Sequence, residues 1–480
     1  MSIPVETPEI EIRVYKLTGM NRGEAYRGAA AVLANFDLSQ YLGEAGSVRT
    51  TKSLHEPCGG FSISFADRIQ QDMLDTIYAL VEPMDMVEIR MRRAPGGTGR
   101  LPLVMRGFVS KVRRVETLAQ DGTPQRTVVI SGQDEGKLWM IHQLLPETIY
   151  ASQSPYMDTF SLLAAVGIQV GVMPVADFMQ QLVEVVMNDK VAALQAFATA
   201  YVPPFIPDIS VPQGLVVPSL VQPFRKGPFW NLAELVADRP WNELWVESTE
   251  DGPVVHFRPV PYRDLGGAYI MPGAADPGWI YRDVEDVVSW DAERTDTRVA
   301  NFYFVPPGGA AFDTNAQANV ATLQDGSLQD YEYGNSARDL FGLRKMETVT
   351  RLLPDSVTQP PNRYPPGERM AAGQNVIDWH KERALQLKAF NRDNVALEDE
   401  SLTLKGSEEL KVGRYISITR GQIPNAGLVT EAYVTKVDHA FMPMRTWTTT
   451  ILAERGNGFL NRDAMASSPY WAEGARGIYR

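Results

Sequence analysis

Glu9-Ile-Glu-Ile-Arg-Val-Tyr-Lys16 alternates apolar side chains with charged or polar ones, and Phe61-Ser-Ile-Ser-Phe65 does the same. A period of two is the mark of a strand with one face buried. Working outward, Met86–Met91 and Leu103–Val115 flank the turn Ala94-Pro-Gly-Gly-Thr-Gly99, and Asp121-Gly122 leads into Arg126–Ser131. Apolar runs parted by Asp-Gly or Gly-Gly signal hairpins. Strands spaced this evenly predict a closed or nearly closed antiparallel barrel over residues 1–140. Only Phe65–Leu80 interrupts the pattern, and it reads as a short helix.

The pattern then changes. From Pro155 to Tyr201 the apolar residues Phe178, Leu182, Val185, Val186, Leu194 and Phe197 take helical spacing, with Asp177, Glu184, Asp189 and Lys190 between them. Pro203, Pro204, Pro207, Pro212, Pro218 and Pro223, with Pro228 just beyond, predict an extended connection. A helix over Phe229–Arg239 is expected to stop at Pro240, followed by strands Glu243–Ser248 and Pro253–Pro259 around Asp251-Gly252. These elements outline a helical and α+β middle domain, residues 141–260.

Residues 261–390 read as a mixed β domain: strands Val287–Trp290 and Arg298–Val305, a long exposed loop over 306–336, a Pro/Gly break at Asn362–Arg369, and a linking helix Asn375–Phe390. A second β-barrel module is predicted for 391–460, from Leu402–Leu404, Tyr415–Thr419, Leu428–His439 and Arg445–Glu454, with a turn at Lys411–Gly413. A C-terminal arm, 461–480, follows. The fold class expected is therefore mainly β, with two antiparallel barrel modules flanking a mixed α+β middle. No short-period repeat is visible.

Composition narrows the function. The chain has 480 residues, hydrophobic content of 44% and charged content of 22%, which excludes wholesale disorder. Lys+Arg 46 against Asp+Glu 58 leaves a net charge of −12, a poor match for phosphate-neutralising DNA binding. The single cysteine, Cys58, excludes an internal disulfide framework and any cysteine-rich metal site. The N-terminus carries acids and no apolar run, so no signal or transit peptide is expected. The most apolar window, Thr159–Gly171 with Val172 and Met173, is too short for a membrane span and reads as a buried helix, so no stable membrane insertion is expected.

A search for chemistry returns little. His55, His142, His256, His380 and His439 show no metal-binding spacing. His55-Glu-Pro-Cys58 echoes part of a zinc deaminase signature, but the chain has no further cysteine to complete it. No nucleophile elbow or phosphate loop occurs, and Gly96-Gly-Thr-Gly99 reads as a hairpin tip. The acids Asp283, Glu285, Asp286, Asp291, Glu293 and Asp296 read as solvated strand edges in place of a glycosidase pair. Trp230, Trp241 and Trp245 read as core. No catalytic, cofactor-binding or metal residue is assigned, no cofactor is expected, and the chain is not expected to be an enzyme.

Three groups of segments carry a resemblance. The first is Asn231-Leu-Ala-Glu-Leu-Val-Ala-Asp-Arg-Pro-Trp-Asn-Glu-Leu-Trp245 with Asp251-Gly252 and His256-Phe-Arg-Pro259. The second is Ser289-Trp-Asp-Ala-Glu-Arg-Thr-Asp296 with Val299-Ala-Asn301. The third is Leu404-Lys-Gly406, Leu410-Lys-Val-Gly413, Tyr433-Val-Thr-Lys-Val-Asp-His439 and Thr448-Thr-Thr-Ile-Leu-Ala-Glu-Arg-Gly456. In order and spacing these resemble the phage tail baseplate hub family, which includes the T-even hub, Mu-like and P2-like tail proteins and the hub half of VgrG spikes. Phe108–Leu138 adds weaker support.

The resemblance implies a homotrimer located in the virion tail baseplate after synthesis in the host cytoplasm. Each subunit would contribute two similar barrels, so that six barrels match a six-fold tail tube while the three-fold body receives a central spike. The implied partners are the tube or another tube-ring protein, the spike, neighbouring baseplate proteins and, transiently in the lumen, the tape measure protein and genomic DNA. The helical and Pro-rich stretch 155–228 is long for the family core and is expected to contact those neighbours. An acidic lumen wall would repel phosphate. The competing expectations are a host-receptor or carbohydrate-binding tail-tip module and a cell-wall hydrolase.

Overall fold

The computed structural model describes residues 8–17, 35–43, 46–67, 76–94, 99–118, 124–144, 173–196, 198, 200–211, 214–217, 227–306, 325–330, 332–356, 365–420 and 428–457. The apolar window Thr159–Gly171 and the arm 461–480 lie outside them.

The first unit contains β1 (Glu9–Tyr15), β2 (Asn35–Asp37), β3 (Ser47–Ser53), β4 (Gly60–Ala66), β5 (Met86–Arg92), β6 (Leu103–Leu118) and β7 (Pro124–Asp134). They pair in the order β2-β1-β5-β6-β7-β4-β3. Period-two patterning places Ile12, Val14, Ile63, Phe65, Ile89 and Ile130 in one buried core. Of the helix expected over Phe65–Leu80, Phe65 and Ala66 instead finish β4, residues 68–75 lie outside the described residues, and a single turn, α1 (Ile77–Leu80), forms.

The second unit contains β11 (Trp279–Asp283), β12 (Val287–Glu293), β13 (Glu398–Lys405), β14 (Tyr415–Arg420), β15 (Leu428–Met442) and β16 (Thr446–Gly456), paired in the order β11-β14-β15-β16-β13-β12. Its core is Leu402, Leu404, Ile416, Ile418, Tyr433 and Ile451. Two of its strands thus come from the 261–390 stretch, ahead of the long helix.

Numbered within each unit and with β1 set aside, the two sheets have the same strand order and the same directions. β11 runs parallel to β14. β2 and β5 are each antiparallel to β1, and so parallel to one another. β1 is therefore a strand wedged into the first unit where the second has a direct parallel pair, so the second sheet is not antiparallel throughout.

The likeness extends to single residues. β6 is bulged against β7 between Val109 and Lys111, and β15 is bulged against β16 between Val434 and Lys436. Val109 N donates to Asp85 O at 2.9 Å and Val434 N to Arg414 O at 2.9 Å. Met84 N donates back to Val109 O at 2.8 Å, and Gly413 N to Val434 O at 2.9 Å. Met84 and Gly413 share a φ of 73°, the left-handed region.

Both sheets curl. The end strands β11 and β12 are joined by a single 3-10 turn, Val284–Asp286, so the two edges of a six-stranded sheet lie within about 14 Å of each other. In the first unit residues 38–46 make the equivalent link from β2 to β3. Among the described residues no hydrogen-bonded pair closes either sheet into a barrel.

Between the units lies a three-stranded sheet, β8 (Ile206–Ile209), β9 (Asn242–Ser248) and β10 (Pro253–Pro259), in the order β8-β10-β9. Its inner face joins Leu244, Val246, Val255 and Phe257 to the helical run Val175–Gln181, Leu182–Met187 and Asn188–Gln195 and to α4 (Trp230–Ala237). For this numbering α2 is Lys137–Ile141 and α3 the helical run. Helix α4 ends three residues before Pro240, because Asp238 turns left-handed at φ 54°. The buried Asp238 carboxylate then accepts from Thr350 Oγ1 at 2.8 Å, Arg351 N at 2.7 Å and Arg383 Nη2 at 3.1 Å.

The long helix α5 spans Pro366–Asn391, well ahead of the expected Asn375 start, because proline at a first-turn position needs no N–H partner. Of the strand expected over Arg298–Val305 only Phe302–Phe304 forms. Residues 307–324 of the expected exposed loop lie outside the described residues, while Leu328 beyond them is buried beside Leu387 and Phe390 of α5.

Candidate assembly site

The two units are stitched together by one strand. Along one edge β15 pairs with β16 over most of its length. Along the other edge Leu428–Tyr433 pair with β14, then the strand changes partner, and Lys436–Phe441 pair with Ser53–Val48 of β3 in the first unit. Thr435 sits at the bulge between the two, and its carbonyl accepts from Leu54 N at 2.9 Å. A bulge bends its strand and sharpens the local twist, which lets one strand serve two sheets. Phe441 and Trp447 of the second unit consequently sit in the first unit's core.

Polar side chains are buried at this joint. Buried His439 lies opposite Thr50, with Nδ1 2.8 Å from Thr449 Oγ1. Burial lowers its pKa to about 4, so the ring is neutral at neutral pH. Gly406 lies against the Trp447 ring, where a Cβ would stand 2.1 Å from Cγ. A small cavity lined by Thr50, Lys52, Asp134, Glu247, Lys411 and His439 opens beside the joint.

The middle sheet wedges against both units, each time through an apolar core and charged contacts. Toward the second unit, Trp245 packs against Gly413 and joins the core of Ile416 and Tyr433. Tyr433 Oη donates to Glu243 at 2.7 Å, Arg258 Nε to Glu243 Oε1 at 2.6 Å, and Arg258 Nη2 to Gly413 O at 2.5 Å. Burial raises the Glu243 pKa against these partners. Lys411 Nζ lies 2.5 Å from Glu247. Burial opposes ionisation of Glu247, but His256 and Lys411 outweigh it and hold its pKa at about 2.

Toward the first unit Met86 and Phe108 share a buried core with Leu244 and Val246, and polar and charged contacts add to it. Arg90 grips Glu250 through Nη1 and Nη2 at 2.7 and 2.8 Å, and Leu103 N donates to Glu250 Oε1 at 3.0 Å. Arg106 Nε and Ser248 Oγ each donate to Glu135 at 2.5 Å. Burial pushes the Glu135 pKa up to about 7 despite Arg106.

The residues singled out for chemistry are scattered. His55 to Cys58 form the β3–β4 connection, and burial pushes the Cys58 thiol up to about 11, the opposite of a ligand or nucleophile. Among the described residues no group of three or more His, Cys, Asp or Glu is placed to hold a metal ion. His380 is buried and its pKa falls to about 4. His256 pairs with Asp208 at 2.6 Å and stacks on Trp245 at 4.4 Å, while His142 lies 6.4 Å from Phe229. Gly99 is in the β5–β6 hairpin at φ 113°. Asp283, Glu285, Asp291, Glu293 and Asp296 are exposed at the β11 and β12 ends, and Asp286 is held by Arg93 at 2.6 Å. Trp230, Trp241 and Trp245 are all buried. No helix among the described residues is long and apolar enough to cross a membrane.

The strand that makes the joint, β3, is absent from the sequence reading. Its Ser-Val-Arg-Thr-Thr-Lys-Ser is short of large apolar residues, but Val48, Thr50 and Thr51 are β-branched and could have flagged it.

No protein-family model matches the sequence, and no curated protein matches it. Solved structures do. A tail protein from Neisseria meningitidis superposes with TM-score 0.44 at 12% identity, over 94% of this chain and 96% of that one. The prophage MuSo2 43 kDa tail protein from Shewanella oneidensis gives TM-score 0.42 at 10% identity, over 93% and 96%. An Escherichia coli component of the type VI secretion system, described as structurally similar to bacteriophage tail proteins, gives 0.37 at 8%, over 85% and 72%.

Proposed function

We propose that the chain is a structural hub of a phage tail baseplate: a homotrimeric ring whose two barrel-like units per subunit present six similar modules to a six-fold tube, while its three-fold body seats a spike. The observation that carries the reading is the repetition itself. Two sheets with one strand order, one bulge register and one left-handed turn position occur in a single chain. A chain carrying two copies of a unit doubles the rotational order of any ring it forms, which is what an adapter between three-fold and six-fold bodies needs. Most of the segments that resemble the hub family fall in α4, the middle sheet and the second unit.

The role proposed is structural, with the tube protein, spike, neighbouring baseplate proteins, tape measure protein and DNA as partners and with a lumen that passes DNA. The test is mass photometry of the purified chain. A species near three times 53.3 kDa is expected, and ordered co-assembly with a tube protein would extend it. A monomer at every concentration overturns the proposal.

A further inference from the structure

The joint made inside the chain leaves two unused halves. In the second unit, the stretch of β15 after the bulge pairs with β3. The equivalent stretch of the first unit is Lys111–Glu116 of β6, after the bulge at Ser110. Its β5 neighbour stops at Phe108, and among the described residues no strand pairs with it on that edge. The strand equivalent to β3 is β12, whose edge away from β13 carries no strand among the described residues. Among the described residues each chain thus holds one completed joint, one donor edge and one acceptor edge without a paired strand.

We propose that β12 of one copy pairs antiparallel with Lys111–Glu116 of β6 in the next copy, reproducing between chains the joint that β3 and β15 make within one. This rests on the ring reading above and specifies its contact.

The internal joint supplies the register. Val109 corresponds to Val434, since Val109 pairs Gly132 and Val434 pairs Ala453, each just before the bulge. It follows that Ile130 corresponds to Ile451, that their partners Ile63 and Leu402 correspond, and that the next strands' Val48 and Trp290 correspond. His439 faces Thr50 and Asp438 faces Thr51 within the chain. Transferred, Arg114 faces Ala292, Arg113 faces Glu293, Val115 faces Asp291 and Glu116 faces Trp290.

Charge supports the pairing. Lys111 and Arg113 share one face of β6, and Asp291 and Glu293 share the corresponding face of β12; all four are exposed. Opposite charges directly across an antiparallel pair stabilise it and like charges oppose it. Within the chain the signs are reversed: β15 carries the acid, Asp438, and β3 the base, Arg49. Exchanging the partners would set Arg49 opposite Val115 and diagonal to Arg113, a like-charge neighbour in place of an acid, so the two joints discriminate against each other. An unequal donor and acceptor make a heterologous contact, which closes into a ring when the rotation permits.

The test uses the full chain. Arg113→Glu and Glu293→Arg, each with an unchanged thermal unfolding midpoint, should raise the concentration at which the trimer half-dissociates at least tenfold, and the double variant should restore it to within a few-fold. A second measurement replaces both residues with cysteine. Cross-strand Cβ atoms roughly 5 Å apart suit a disulfide, so mild copper–phenanthroline oxidation should give covalent oligomers up to the trimer, while protonated Cys58 stays unreactive. A wild-type trimer whose stability neither reversal alters, and whose cysteine pair does not cross-link, overturns the pairing and leaves the ring reading standing. A chain that never leaves the monomer overturns both.

Discussion

The two units share a topology but solve its weak points differently. At the left-handed position before the fourth strand of the common order, the first unit uses Met84 and the second Gly413, both at φ 73°. The first unit has open space there for a side chain that packs near the helical core; the second has Trp245 so close that a Cβ on Gly413 would stand 2.9 Å from its ring. Ion pairs join the middle sheet to both units, but it is the second unit's core that takes in the Trp245 indole. The difference teaches that the strand order belongs to the repeated unit, whereas side chains at the same position follow whatever each unit is pressed against.

That contrast breaks most directly at the middle sheet. Trp245→Ala should destabilise the chain by roughly 3–5 kcal/mol, the usual loss for a large buried aromatic, read from urea unfolding. Glu250→Gln, toward the first unit, should cost less, about 1–2 kcal/mol, because solvent screens the exposed carboxylate while buried Arg90 keeps Glu88 as a second partner. Equal effects would erase the distinction.

The joint responds to acid. An unfolded histidine titrates near ~6.5, whereas folded His439 does so at about 4. Above the unfolded value both states are neutral and stability is full. As the pH falls toward 4 only the unfolded chain gains the proton, removing about 3 kcal/mol. His380, depressed to the same value, adds a similar loss. His439→Gln should therefore show a stability–pH slope shallower than the wild type between those limits, and an unchanged slope would sink the assignment.

Next comes the turn. Gly413→Ala combines a left-handed alanine with the approach to Trp245 and should cost about 2 kcal/mol. Met84→Gly relieves the same backbone cost and should change stability by less than ~1 kcal/mol. Thermal unfolding of the pair reads both, and a large loss at Met84 would show that the two turns are not equivalent.

The elements of both sheets were largely legible, because alternation in Phe61-Ser-Ile-Ser-Phe65 and Tyr433 to His439 is a local property. The repetition was not. Phe61-Ser-Ile-Ser-Phe65 and Glu400-Ser-Leu-Thr-Leu404 hold equivalent places in their sheets, yet only the serine between the first two positions is common. Burial at Ile63/Leu402 and Phe65/Leu404 asks for an apolar residue and is indifferent to which one, and at the third site a buried carboxylate, Glu400, stands where the first unit has Phe61. The joint was hidden for another reason: β15 reads as one long strand, and nothing in its own residues reveals that its partner changes at Thr435. Pairing between residues nearly four hundred positions apart leaves no local trace.

One consequence follows from that change of partner. A peptide running unbroken through two bodies cannot turn with both, so the halves of this molecule have no hinge between them. Separating them means unzipping the six residue pairs from Lys436–Ser53 to Phe441–Val48 and drawing Phe441 and Trp447 out of a foreign interior. Torque applied to one half reaches the other through these backbone hydrogen bonds.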